Sequence, residues 1–337
     1  MAHRPKQKKE HPPLDANFFR RVEQYGRHRT LFTTVQAQAR RLDIDDLARP
    51  DPSVGLEDYI GRLFFNVHHD PAKAPTGAYF DMIDLYAWEV IETTEWMMGR
   101  SGPIKRVLQK ELGAGRNLTI ITFNIDLLIE NALQELTHSR PGARWSIRDT
   151  YGFSDPLKTA TRPGSGGVFN HDSTVSAIAL YKLHGSVNWL FQHRDYHPPP
   201  DLVSQRRAIW QLLNKHPGTG RQKIRSGRSG RSVWYASPLI VPPVYEKHAF
   251  IRMHLQEIWE NAEKALAEAD RVVFWGYSFP AADTHARHFF EGLADRNPVL
   301  RDPILINPDP STGAALWSLL RARKVTQYGD VSDYLRR

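Results

Sequence analysis

Apolar positions in the first third of the chain recur at helical spacing. Between Leu14 and Arg41 they include Phe18, Phe19, Val22 and Tyr25, and this periodicity predicts a helical run. Pro50, Pro52 and Gly55 punctuate it. The pattern resumes from Leu56 to Val67 with Tyr59, Ile60, Leu63 and Phe64, and another helix is expected from Ala78 to Met98. Residues 13–115 therefore read as a helical part behind a polar tail, 1–12.

The pattern then changes period. Asn117 to Phe123 is a short run rich in apolar and β-branched residues, followed at once by Leu127, Leu128, Asn131 and Leu133 at helical spacing. Similar runs lie at Ile178 to Leu183, Arg271 to Trp275 and Pro303 to Ile306. A helix from Ile251 to Ala269 precedes the third strand, and another begins near Ala282. Short apolar strands alternating with helices predict an α/β fold, a Rossmann-like parallel sheet covered by helices on both faces. The expected organisation is a single α/β domain over 13–335.

Ligands of such sheets bind beyond the carboxyl ends of the strands. Polar residues collect there: Thr122, Asn124 and Asp126 after the first run, His184 and Gly185 after the second, Gly276 and Ser278 after the third, Asn307 after the fourth. Each also has a structural reading. Asn124 and Asp126 suit an Asx turn or helix N-cap as well as a ligand contact. His184 is either a satisfied structural residue or a proton-transfer group, and Gly185 behind it permits a close approach of backbone or ligand. Gly276-Tyr277-Ser278 is either a strand-terminating turn or a phosphate or ribose contact. Tyr328-Gly329-Asp330 either closes over an adenine or caps the last helix. His285 and His288, without a flanking carboxylate pattern, predict no metal site.

Charge and composition narrow the function classes. The chain has 337 residues, 41% of them hydrophobic, which is enough for a sizeable core. It has no cysteine, so disulfides and cysteine-bound zinc are excluded and a cytoplasmic location is expected. No apolar run is long enough to span a bilayer, and no membrane association is expected. The net charge of +8 is concentrated in residues 196–232, where Arg206, Arg207, Lys215, Arg221, Lys223, Arg225, Arg228 and Arg231 face the single acid Asp201. That segment reads as a basic, flexible insertion; nucleic-acid contact through Arg206 to Arg231 is the alternative.

Taken in order, Thr-x-Asn-x-Asp at 122–126, Lys-Leu-His-Gly-Ser-x-Asn-Trp at 182–189, Gly-Tyr-Ser-Phe-Pro at 276–280 and Ile-Asn-Pro at 306–308 resemble the sirtuin-like family of NAD-consuming proteins. They look like the sirtuin-like domains of bacterial anti-phage defence proteins rather than protein deacylases. The likeness runs from about Ile120 to Asp330, interrupted by the basic insertion. It implies that Asn124 and Asp126 serve the nicotinamide-ribose end of NAD, that His184 and Asn124 are catalytic, and that Gly276, Ser278 and Asn307 line the ribose and phosphate side. Thr122, Gly185 and Asp330 join the cofactor-binding set.

The resemblance implies NAD as substrate and NAD glycohydrolysis as the reaction. Gating by assembly is also implied, through homo-oligomerisation, a co-encoded ATPase or a nucleic-acid sensor. Two departures qualify it. The four-cysteine zinc module of deacylating sirtuins has no counterpart, which disfavours peptide deacylation. The family's opening strand and Gly-Ala-Gly-x-Ser phosphate turn are also missing: Pro12 to Phe19 resembles the segment that directly follows that turn. Either the true start lies upstream, which is the expectation, or the protein lacks the loop. In the latter case an impaired NAD- or ADP-ribose-binding or assembly module is the alternative function.

Overall fold

The helical part assembles around aromatic side chains. A computed structural model describes residues 18–25, 29–41, 55–69, 76–98, 102–114, 117–139, 150–153, 178–194, 211–212, 222–225, 233–241, 251, 255–279, 283–300 and 302–337. Helices α1 (Phe18–Tyr25) and α2 (Arg29–Arg41) lie within the helical run expected from Leu14 to Arg41, of which 14–17 and 26–28 are outside the described residues. They are followed by α3 (Leu56–His69) and α4 (Thr76–Met98). Phe19 meets Tyr59 edge to face at 5.4 Å, and Phe18, Val35, Ile60, Leu63, Met82 and Leu85 are fully buried beside them. The Tyr59 hydroxyl donates to the Val35 carbonyl at 3.3 Å. A fifth helix, α5 (Gly102–Gly113), lies within the helical part expected over 13–115, although no separate helix is singled out there by the apolar spacing.

Two parallel sheets follow. Strand β1 (Leu118–Thr122) pairs with β2 (Ile178–Lys182), with α6 (Leu128–Ser139) leaving the end of β1. Later in the chain β7 (Val273–Trp275), β8 (Ile304–Ile306) and β9 (Thr326–Tyr328) form a parallel sheet with β8 central. Helix α7 (Gln256–Glu268) precedes β7, α8 (Thr284–Phe290) and α9 (Leu293–Arg296) lie between β7 and β8, α10 (Pro310–Leu320) follows β8, and α11 (Val331–Arg336) closes the chain. The protein is thus mixed α/β with short parallel sheets. Burial on both faces holds for β8, whereas β1 is only half-buried and Thr119 within it is exposed.

In chain order between the parallel sheets comes an antiparallel one, ordered β4-β3-β6-β5, formed by β3 (Gly185–Arg194), β4 (Gln211–Leu212), β5 (Gln222–Arg225) and β6 (Val233–Ile240). Residues 196–232, read from the sequence as a basic, flexible insertion, include Gln211–Leu212 and Gln222–Arg225, which pair as strands. Lys223 and Arg225 fall in β5; Arg206, Arg207, Lys215, Arg221, Arg228 and Arg231 lie outside the described residues, as does the 1–12 tail. No described helix is long and apolar enough to cross a membrane.

Polar groups buried in the centre join these layers. The alternation of β2 turns Ile178, Leu180 and Lys182 inward. Lys182, 1% exposed, meets the fully buried Glu130 of α6 at 2.7 Å. The same carboxylate oxygen accepts the Tyr151 hydroxyl at 2.9 Å, and Asn188 of β3 donates to that hydroxyl at 3.2 Å. Burial, with the Glu130 carboxylate beside it, holds the Tyr151 hydroxyl well above the ordinary tyrosine range, so it stays a donor. At the opposite end, Lys110 of α5 donates to the Tyr334 carbonyl at 2.6 Å, and Tyr334 donates to Glu111. The closing helix is thereby fastened to the helical part.

Removing one member of the Lys182–Glu130 pair strands the other charge in the core. Lys182→Met is expected to lower the unfolding free energy by about 3–5 kcal/mol, measured by urea denaturation. A loss no larger than that of an exposed lysine variant contradicts this burial.

Candidate functional site

The carboxyl ends of β1, β2 and β7 converge on one aromatic residue. Phe123, the first residue after β1, stacks on Tyr277 at 5.0 Å with an interplanar angle of 23°. It also meets the His184 ring edge to face at 5.1 Å, and Trp259 and Phe290 at 6.3 and 6.1 Å. The Phe123 side chain carries no hydrogen-bonding group, so its residue type does not mark it for chemistry. Its position inside the Thr-x-Asn-x-Asp motif was the available signal.

His184 sits on a turn clamped by the main chain. Leu183 N–H donates to the Thr122 carbonyl at 2.9 Å, the Leu183 carbonyl accepts the Trp259 indole N–H at 2.9 Å, and the His184 carbonyl accepts Val241 N–H at 2.9 Å. Gly185 adopts φ +80°, and a Cβ there would lie 2.0 Å from the Leu239 carbonyl oxygen. This glycine serves packing between β3 and β6. The shift in β3–β6 register between Ser186 and Leu190 marks a local irregularity of the kind that re-aims side chains. His184 as a residue is half-buried, and its Nε2 is shielded from solvent.

The β1 arm is ordered by its own polar groups. Thr122 Oγ1 accepts Asn124 N–H at 3.1 Å, and Asp126 Oδ1 accepts Leu128 N–H at 2.9 Å at the start of α6. Thr122 and Asp126 therefore shape the loop, and Asn124 is left exposed at its crest.

The β7 arm is strained. Gly276 has φ +73° with open space where a Cβ would stand, and Phe279 has φ +53° although it is not glycine. Aromatic packing holds Phe279 there: it lies 4.8 Å from Tyr277, 5.6 Å from Phe274 and 5.7 Å from Phe290. Backbone strain of this type costs of order 1–3 kcal/mol and collects at ligand-binding segments. Tyr277 donates to Asp283 at 2.9 Å; burial first, and then the neighbouring carboxylate, push its hydroxyl far above the usual range. Exposed Ser278 lies between these two fixed rings.

Asn307 connects the next strand. Its amide donates to the Tyr277 carbonyl at 3.4 Å, and its Oδ1 accepts Asp309 N–H at 2.9 Å. Asp330 is further along, where its carboxylate caps α11 by accepting Asp333 N–H at 2.9 Å. Contacts join His184 and Tyr277 to Phe123 and Asn307 to Tyr277, with Asn124 next to Phe123 and Gly276 and Ser278 next to Tyr277 in the chain, while Asp330 is engaged with the last helix. His285 packs on Trp259 at 5.7 Å and His288 faces Glu291 at 3.2 Å.

No family model, curated protein or solved structure matches the chain. Among the described residues no group of histidines and carboxylates could hold a metal ion. The arrangement itself offers an imidazole, an amide and a hydroxyl around an aromatic wall, beside an open glycine backbone.

Gly185 and Gly276 separate packing from accessibility. Gly276→Ala is expected to cost only the roughly 1–2 kcal/mol of left-handed strain. Gly185→Ala adds a backbone clash and is expected to lose considerably more. Equal losses in parallel denaturant titrations would contradict the assigned environments.

Proposed function

We propose that the chain is an NAD glycohydrolase of the sirtuin-like type, built on a Rossmann-like arrangement of its parallel strands. It cleaves NAD to nicotinamide and ADP-ribose during anti-phage defence in the cytoplasm. The single observation that carries this reading is the meeting of the β1, β2 and β7 ends at Phe123, with His184 on one side and Tyr277 on the other. The motif resemblance supplies the substrate, and the exposed Asn124 and Ser278 supply polar groups for it.

In the proposed reaction the bond between nicotinamide and ribose breaks, and nicotinamide leaves as a neutral molecule with the bonding electron pair. The ribose carbon acquires oxocarbenium character and a water oxygen bonds to it. Asn124 orients the ribose or the water. His184 accepts a proton from the water or a ribose hydroxyl and returns it to solvent. Gly276 lets the ribose or phosphates approach the backbone, Ser278 and Asn307 bind on that side, and Thr122, Asp126 and Gly185 hold the loops that present these groups. Asp330 borders the adenosine end.

Unrestricted NAD loss would kill the host, so activity is gated by self-assembly, a co-encoded ATPase or a nucleic-acid sensor. The arginines from Arg206 to Arg231 provide a basic segment for such contact. Incubation of purified protein with NAD, alone and with candidate partners, followed by chromatography of nicotinamide and ADP-ribose, tests the proposal. His184→Ala is expected to reduce kcat by about 10²–10⁴-fold, as for loss of a positioned acid–base group. Wild-type protein indistinguishable from His184→Ala and Asn124→Ala under every condition defeats the enzyme reading. NAD binding without turnover identifies a binding module instead.

A further inference from the structure

The buried cation of β2 does more than pair with a carboxylate. Lys182 Nζ donates to Glu130 Oε1 at 2.7 Å and also to the main-chain carbonyl of Asp126. That carbonyl belongs to the loop whose crest is Asn124. Next to it, the Ile125 carbonyl accepts Val187 N–H at 3.0 Å from β3. Lys182 is also the last β2 residue in register with β1, opposite Thr122, and His184 follows two positions later. One side chain therefore bonds to the loop that bears Asn124, while its own main chain bears His184.

We propose that Lys182 is a positioning residue: it fixes the Asn124 loop against the His184 turn, with Glu130 holding its ammonium group at the required place. An apolar residue would fill the volume but leave the Asp126 carbonyl without this donor. The catalytic consequence rests on the reading of the crevice as an NAD site; the geometric claim does not.

The test is the double variant K182M/E130Q in the full chain, which removes both charges and so avoids leaving one unpaired in the core. It retains an acceptor for the Tyr151 hydroxyl. Melting temperature reports stability, and hydrogen exchange at the amides of Asn124, Leu128 and Val187 reports the loop. The variant is expected to melt within a few degrees of wild type, while these amides exchange about tenfold faster or more through local opening. Where wild type hydrolyses NAD, kcat is expected to fall about 100-fold, the scale of a small misplacement of reacting groups, with KM little changed.

Unchanged loop exchange, or unchanged kcat, in a folded double variant overturns the proposal. If wild type shows no NAD turnover, the enzyme reading fails, and loop exchange alone decides the positioning claim. If K182M/E130Q does not fold, K182M/E130M is measured in its place. Failure of both to fold makes the pair a requirement of stability only and also overturns the proposal.

Discussion

The structure depends on an ion pair removed from water. Lys182 and Glu130 are 1% and 0% exposed, and withdrawing such charges from water costs several kcal/mol for each. Their mutual attraction repays that cost only with the surrounding hydrogen bonds in place. Those bonds reach outward to Tyr151, through it to Asn188, and to the carbonyl of Asp126. Strands β2 and β3, helix α6 and the β1 loop consequently share one set of polar contacts. Apolar packing could fill the same space, but it would not select this relation among the elements.

The strand ends around Phe123 inherit their geometry from that arrangement. The β1 and β2 ends are set by the buried network and by the main-chain clamps around His184. The β7 end is set by rings: Tyr277 stacked on Phe123 and Phe279 wedged between Phe274 and Phe290. The left-handed backbone at Phe279 persists because the residue is 3% exposed and enclosed by aromatic partners. The exposed polar positions Asn124 and Ser278 are thus chain neighbours of packed rings, Phe123 for the first and Tyr277 and Phe279 for the second.

Much of this was legible from periodicity. The strands at β1, β2, β7 and β8 and the helices α3, α4, α6 and α7 fall where the apolar spacing placed them, within a few residues. The antiparallel sheet is not legible in the pattern because β4 and β5 lie in a segment whose basic, glycine- and serine-rich composition resembles a loop, and because β3 pairs with β6 across that whole segment. At the site, the motif residues were legible but their division of labour was not. Lys182, Ser186, Asn188 and Trp189 of the Lys-Leu-His-Gly-Ser-x-Asn-Trp run are all buried, and Gly185 is required by the Leu239 backbone. His184 is the half-buried member that faces Phe123. The inward position of Lys182 in the alternation Ile178, Leu180, Lys182 was the signal for the buried charge; its partner Glu130 lies on another element, beyond the reach of local pattern.

Whether the strand ends around Phe123 form the proposed NAD site is decided by a crystal structure of the protein soaked with NAD or ADP-ribose. The ribose that carries nicotinamide, or its ADP-ribose counterpart, is expected within hydrogen-bonding reach of His184 and Asn124, with the phosphates towards Gly276 and Ser278. A dinucleotide bound elsewhere on the protein, leaving His184 and Phe123 uncovered, would contradict the proposed site.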